Sequence, residues 1–96
     1  MNKSESIINN LLIEVDALSY RITNIYQTFL NTSHVGLRKR LFYENKKILQ
    51  RLNEIFSIAK VLNDRNNEHI SFSSLLIEKC ERAIAKTRIE KNLFFL

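Results

Sequence analysis

The side chains that could support catalysis or bind a metal are few in this sequence of 96 residues: two histidines, one cysteine and ten carboxylates. His34 and His69 stand in polar stretches, without a second histidine, a cysteine or paired carboxylates at the spacing that zinc ligands require. Cys80 falls on an apolar stripe, where burial should raise the pKa of its thiol and leave it inert. We therefore expect no catalytic residue, no metal and no cofactor.

The acidic residues are spaced for solvated ion pairs rather than for acid–base catalysis. Glu44 follows Arg40 by four residues, and Arg82 follows Glu78 by four, so each pair lies on one helix face. A glycine-rich phosphate-binding loop is excluded because Gly36 is the only glycine in the sequence. These residues indicate a binding protein rather than an enzyme.

The middle of the chain carries the imbalance behind the net charge of +5. Residues 1–36 hold two basic and three acidic side chains, whereas residues 37–63 hold seven basic and two acidic ones. On a helix, most of these cations form two neighbouring outward stripes. The candidate binding face comprises Arg38, Lys39, Arg40, Tyr43, Lys46, Lys47 and Arg51.

Three interpretations of this basic face are open. It can orient an acidic partner protein, it can contact the phosphates of a nucleic acid, or it can be a solvated helix surface without a partner. Neither a helix-turn-helix signature nor an RNA-binding aromatic motif accompanies it. Nucleic-acid binding is therefore the alternative to an acidic protein partner.

The chain ends on an apolar run of four residues, Leu93-Phe94-Phe95-Leu96. This run either folds back over the core or inserts into a groove on another protein or on a second copy of the chain. The candidate partner-docking residues are Ile89, Leu93, Phe94, Phe95 and Leu96.

The elements that position these residues are predicted to be helices of one small all-α domain. With no proline and one glycine, the sequence lacks the turn residues on which β-sandwiches and barrels depend. We predict helices over about 4–30, 37–62 and 73–92, separated by a turn at 31–36 and a loop at 63–69. The first two should form a long antiparallel hairpin, joined by a shorter C-terminal helix.

Apolar seams repeat at intervals of three and four residues along each predicted helix. The third helix should be capped by Ser71 or Ser73. Asn45 lies within the second seam, where a polar side chain fixes register or oligomeric state, or bonds a loop carbonyl. The seams are Ile8, Leu11, Val15, Leu18, Ile22, Ile25 and Phe29; Leu41, Asn45, Ile48, Leu52, Ile55, Ala59 and Leu62; and Leu76, Ile77, Cys80, Ala83 and Ile84.

Residues 12–22, Leu-Ile-Glu-Val-Asp-Ala-Leu-Ser-Tyr-Arg-Ile, resemble the first helix of the all-helical chorismate mutases. Chain length and three-helix layout agree with that family. The resemblance implies a dianionic substrate held by cations along the first helix, but the matching positions here are Leu12 and Phe29. Arg40 alone matches a cationic loop position of the family. The resemblance therefore implies a shared architecture, with a small helical enzyme as the third alternative.

The function that the sequence favours is that of a non-enzymatic accessory or regulatory protein acting through protein–protein interaction. Its partner would be another protein or a second copy of the chain in a coiled-coil-like dimer, and no small-molecule substrate is evident. We expect a cytoplasmic protein without membrane contact, because the N-terminus lacks the apolar stretch of a secretory signal. The longest apolar run is also far shorter than the roughly 20 residues of a membrane-spanning helix.

Overall fold

The part of the chain that the structure describes, residues 3–65 and 70–94, folds into three α-helices without a strand. This computed structural model describes side chains over residues 6–64 and 73–88. The helices are α1 (Lys3–Asn31), α2 (Val35–Arg65) and α3 (Ile70–Phe94). The fold class is confirmed, because α1 and α2 form a long hairpin and the shorter α3 contacts both. Each helix extends one to three residues beyond its predicted bounds.

The seams of the three helices meet in a single elongated core. Every predicted seam residue of α1 is buried, which confirms the periodicity as the signal for the buried face. In α2 the seam is buried up to Ala59, and Leu62 is half-buried. In α3, Ile77 is half-buried and the other four seam residues are buried. The α-carbons extend over 50 × 20 × 15 Å, so the core is long and one layer thick.

Polar contacts set the register between α1 and α3, which run parallel. The ammonium group of Lys79 donates to both carboxylate oxygens of Asp16, at 2.9 and 3.0 Å. Lys86 donates to the carbonyl oxygen of Ser19 at 3.2 Å and to the hydroxyl of Thr23. The pairs Asp16–Lys79 and Thr23–Lys86 both join residues 63 positions apart, so the two contacts belong to one register.

The turn between α1 and α2 is shorter than predicted, because α2 begins at Val35. His34 caps α2: its Nδ1 accepts a hydrogen bond from the backbone N–H of Leu37 at 3.1 Å. The break lies at 32–34, within the predicted turn of 31–36, but Gly36 lies in the first turn of α2 with no positive φ and is not part of it. A Cβ at Gly36 would lie 3.1 Å from Cε1 of His34, so the glycine leaves room for the capping imidazole.

The connection between α2 and α3 also differs from the prediction. α2 continues three residues into the predicted loop of 63–69 and ends at Arg65. Ser73 is not a cap: it lies inside α3, buried, and its hydroxyl donates to Oδ1 of Asn63 at 3.1 Å. Ser73 precedes Leu76 by three residues and therefore shares the core-facing stripe. The alternative cap, Ser71, lies outside the described side chains.

Candidate functional site

The predicted basic face lies on α2, and all of its residues are exposed except Arg51, which is half-buried. Arg38 belongs to the hairpin turn rather than to a free surface. Its Nε donates to the carbonyl oxygen of Thr32 at 3.0 Å, and its guanidinium lies 4.6 Å from the ring centroid of Phe29. This contact stabilises the turn, since a guanidinium over an aromatic face is attracted to the ring.

Arg51 joins α2 to α1 through a bidentate ion pair with Glu14. Its Nε donates to Oε2 of Glu14 at 2.6 Å, and its Nη2 donates to Oε1 at 2.9 Å. Its Nη1 donates to Glu54 at 3.0 Å. The hydrogen bonds that Arg51 donates hold the pKa of Glu14 below its usual value of 4.5, and the acceptance of these bonds by Glu14 and Glu54 raises the pKa of Arg51. Arg51 thus acts as a clamp between helices, and two carboxylates already neutralise its charge.

Two cavities open between α1 and α2 beside this clamp. The first has a volume of about 280 Å³. It is lined by Glu14, Leu18, Arg21, Lys47, Ile48 and Arg51. The second, of about 190 Å³, is lined by Arg21, Asn24, Ile25, Thr28, Leu41 and Glu44. Because Arg21 lines both, the cavities adjoin, and we call the region that contains them the α1–α2 groove.

The floor of the α1–α2 groove is apolar. Leu18, Ile25, Leu41 and Ile48 form this floor and keep between 2% and 7% of their surface exposed. These four residues belong to the core, whose fully buried members include Ile22, Leu52 and Ile55. α2 also packs less extensively against α1 than against α3. The groove therefore reaches down to the side chains of the core.

Cations stand on both rims of the groove. Arg21 lies on the α1 rim and Lys47 on the α2 rim, and both are exposed. Arg21 was not among the predicted binding residues, because it is an isolated cation in the sequence. The signal that could have found it is its spacing: Arg21 follows Glu14 by seven residues and so lies on the same side of α1.

One end of the groove carries exposed isoleucines. Ile7 precedes Glu14 by two helical turns and lies on the same face of α1. Ile58 follows Arg51 by two turns and lies on the same face of α2. Because α1 and α2 are antiparallel, both spacings lead to the same end of the bundle. Ile7 is 46% exposed and Ile58 is 39% exposed. Val61, three residues after Ile58, is 48% exposed. This end of the groove therefore presents an apolar surface that the predicted seams did not include.

The outer side of α2 presents a separate stripe of exposed residues, Lys39, Tyr43 and Lys46.

The predicted ion pair of Glu78 and Arg82 forms, at 2.5 Å. Arg40 and Glu44, both described, form no ion pair; a cation that precedes its carboxylate by four residues is the less favourable orientation on a helix. Glu44 instead lines the second cavity of the groove.

Asn45 is buried within the α2 seam, and its side-chain oxygen has no hydrogen-bond partner. A third cavity of about 140 Å³ adjoins it. That cavity is lined by Phe42, Asn45, Lys46 and Leu49. The predicted role of Asn45 in fixing register or oligomeric state stays a prediction.

The cysteine and the histidine that the structure describes are occupied within the fold. Cys80 is fully buried, and burial, followed by the nearby charge of Glu81, raises the pKa of its thiol to about 11. The imidazole of His34 caps α2, and His69 lies outside the described residues. In the described part of the chain, no three side chains of the metal-binding types gather at one place. No described helix combines the length and the apolar character needed to span a bilayer.

The predicted docking residues at the C-terminus, Ile89 and the run from Leu93 to Leu96, lie outside the described side chains. Of the positions that carry the resemblance to chorismate mutases, Leu12 is half-buried and Phe29 is buried. Comparison of this chain with models of known families, with curated proteins and with solved structures finds no match.

Proposed function

We propose that this protein is a non-enzymatic helical accessory or regulatory protein that binds an acidic partner protein. α2 carries eight basic and three acidic residues, and Arg38 and Arg51 are engaged within the fold. Lys60 lies 5.0 Å from the ring centroid of Phe56, and the side chain of Arg65 lies outside the described residues. Four exposed cations of α2, together with Arg21 of α1, remain for a partner. We call this set the cationic surface: Arg21, Lys39, Arg40, Lys46 and Lys47.

The observation that carries this proposal is the apolar floor beside the cations of the α1–α2 groove. A nucleic acid is bound mainly through its phosphates and gains little from buried aliphatic side chains. An acidic protein segment gains from both, because charges steer its approach and buried apolar area supplies affinity. Leu18 and Ile48 are only 7% and 2% exposed, so most of this area would come from Ile7 and Ile58 at the end of the groove. The combination of these apolar residues with Arg21 and Lys47 favours a protein.

A nucleic-acid-binding function is the second candidate, and a separate observation favours it. Lys39, Tyr43 and Lys46 form an exposed stripe on the outer side of α2, away from the groove. Such a stripe suits contact with a phosphate backbone.

Salt dependence separates the two functions. The probes are a glutamate-rich helical peptide with leucines on one face and a duplex DNA, both labelled for fluorescence anisotropy. We expect peptide binding to persist between about 50 and about 200 mM salt, whereas binding through phosphates weakens steeply over that range. DNA binding that is tighter than peptide binding and is lost in the combined alanine variant of Lys39, Arg40, Lys46 and Lys47 would contradict the proposal.

Self-association stays a prediction from the sequence. Sedimentation velocity of the unlabelled chain measures it directly, because a dimer and a monomer differ in mass by a factor of two.

A further inference from the structure

We infer that the α1–α2 groove binds an amphipathic acidic helix of the partner and that this helix completes a four-helix bundle. The inference rests on the proposed function and adds the form, place and chemistry of the partner segment.

The dimensions of the groove fit a helix. Glu14, Arg21 and Thr28 line its cavities from α1, and the same seven-residue spacing continues to Ile7 at one end. At 1.5 Å per residue, these positions span about 32 Å, the length of a helix of about 20 residues. Two adjacent antiparallel helices present ridges and grooves into which a third helix packs. An extended peptide would find no strand edge to pair with in the described part of the chain.

The apolar residues of the groove define one face of the partner helix. Leu18 and Ile48 form the middle of the floor, and Ile7 and Ile58 extend the groove at one end. A helix in the groove would cover these residues with an apolar stripe repeating at three and four residues. The exposed Ile7 and Ile58 gain most, because they lose more accessible surface than the floor residues do.

The charges of the groove define the flanks of the partner helix. Arg21 and Lys47 stand on opposite rims of the first cavity, so acidic residues on both flanks of the partner helix would face a cation. Arg51 adds little attraction, because Glu14 and Glu54 already bind it, and Glu44 in the second cavity would repel an acidic side chain. The acidic residues of the partner should therefore lie near the middle of the groove, and its purely apolar part should lie against Ile58.

A second copy of this chain is a poorer occupant. Its α2 carries an excess of five basic residues and would bring like charges against Arg21 and Lys47. The charge complementarity of the groove points to a different, acidic chain.

The test measures affinity for a designed peptide of about 20 residues with a leucine stripe flanked by glutamates. A peptide of the same composition in scrambled order serves as the control ligand. Arg21→Glu is compared with Arg88→Glu, since both reverse one exposed arginine and only Arg21 lines the groove. Ile58→Asp is compared with Ile13→Asp, since both isoleucines are exposed and only Ile58 extends the groove. Circular dichroism checks that each variant is folded.

We expect Arg21→Glu and Ile58→Asp each to weaken peptide binding by about tenfold or more, and their matched controls by about twofold or less. Equal losses within each matched pair, or equal affinity for the scrambled peptide, would overturn the groove as the site and leave the proposed acidic partner in place. A dimer of the unliganded chain that Ile58→Asp dissociates would assign the groove to a second copy and overturn the inference. Binding of DNA but of neither peptide would overturn the proposed function as well.

Discussion

Arg51 and Lys47 lie one helical turn apart on α2, yet they have different roles. Arg51 binds Glu14 and Glu54, whereas Lys47 lies exposed on the rim of the groove. The sequence could not separate them, because the partner of Arg51 lies 37 residues away on α1. A cation is available to a ligand only where the fold supplies no carboxylate of its own.

The Glu14–Arg51 pair predicts a pH-dependent contribution to stability. Glu14 has a lowered pKa in the folded chain, so its stabilisation is present above the unfolded pKa near 4.5 and is lost as the pH falls. Both side chains are more than a third exposed, so the pair should contribute no more than about 1 kcal/mol. Urea unfolding of wild type and Arg51→Met should differ near neutral pH, and this difference should shrink in acid.

Arg82→Met is the matched control for this measurement, since Arg82 pairs with Glu78 on the surface of a single helix. It should lower the free energy of unfolding less than Arg51→Met does at neutral pH. A loss in Arg51→Met that is the same at neutral and at acid pH would show that packing, and not the carboxylate of Glu14, explains it.

The cap formed by His34 predicts a second measurable loss of stability. His34→Ala removes the acceptor of the Leu37 N–H and should lower the free energy of unfolding by about 1 kcal/mol. His34→Asn should restore most of it, because asparagine is a strong N-cap residue. Thermal unfolding of the three proteins measures this, and equal stability of His34→Ala and wild type would contradict the capping role.

At the level of the helices, the buried stripes were predictable and the ends were not. The three-and-four spacing from Ile8 to Phe29 reports which side of α1 is buried, because that spacing keeps residues on one face. The ends depend on contacts that spacing does not encode. An imidazole caps α2, and Ser73, a residue typical of caps, turns into the core to bond Asn63.

Asn45 predicts how the α2 seam responds to an apolar replacement. Its buried oxygen lacks a partner, and an unsatisfied buried polar group costs about 1 to 3 kcal/mol. Asn45→Leu should therefore raise the free energy of unfolding, and Asn45→Ala should raise it less, because alanine leaves the site underpacked. Chemical denaturation of both variants tests this. A less stable Asn45→Leu would show that the side chain makes a contact worth more than apolar packing.

Only part of the candidate site could be predicted from the sequence. Lys47 belongs to a run of cations that is visible in the sequence, whereas Arg21 and Ile58 gain meaning only when α1 and α2 are placed side by side. The pairing of the helices is a long-range property, set by contacts such as Glu14–Arg51. The sequence therefore indicates that α2 carries the excess of basic residues. It does not indicate which groove between helices these residues border.

At the scale of the whole molecule, the bundle is asymmetric. α2 packs most extensively against α3 and least against α1, so the molecule is most open where the cations and the apolar floor meet. A chain of 96 residues buries a smaller fraction of its surface than larger domains do. A fourth helix would add apolar burial to a small core, so ligand binding should also stabilise the fold.

The most direct test of this account is a nuclear magnetic resonance titration of the isotopically labelled chain with the amphipathic acidic peptide. We predict shifts of the methyl signals of Leu18, Ile48 and Ile58 and of the Arg21 side chain, with little change at Arg88 and Ile13. Shifts confined to the outer side of α2, at Lys39, Tyr43 and Lys46, with the groove unchanged, would contradict it.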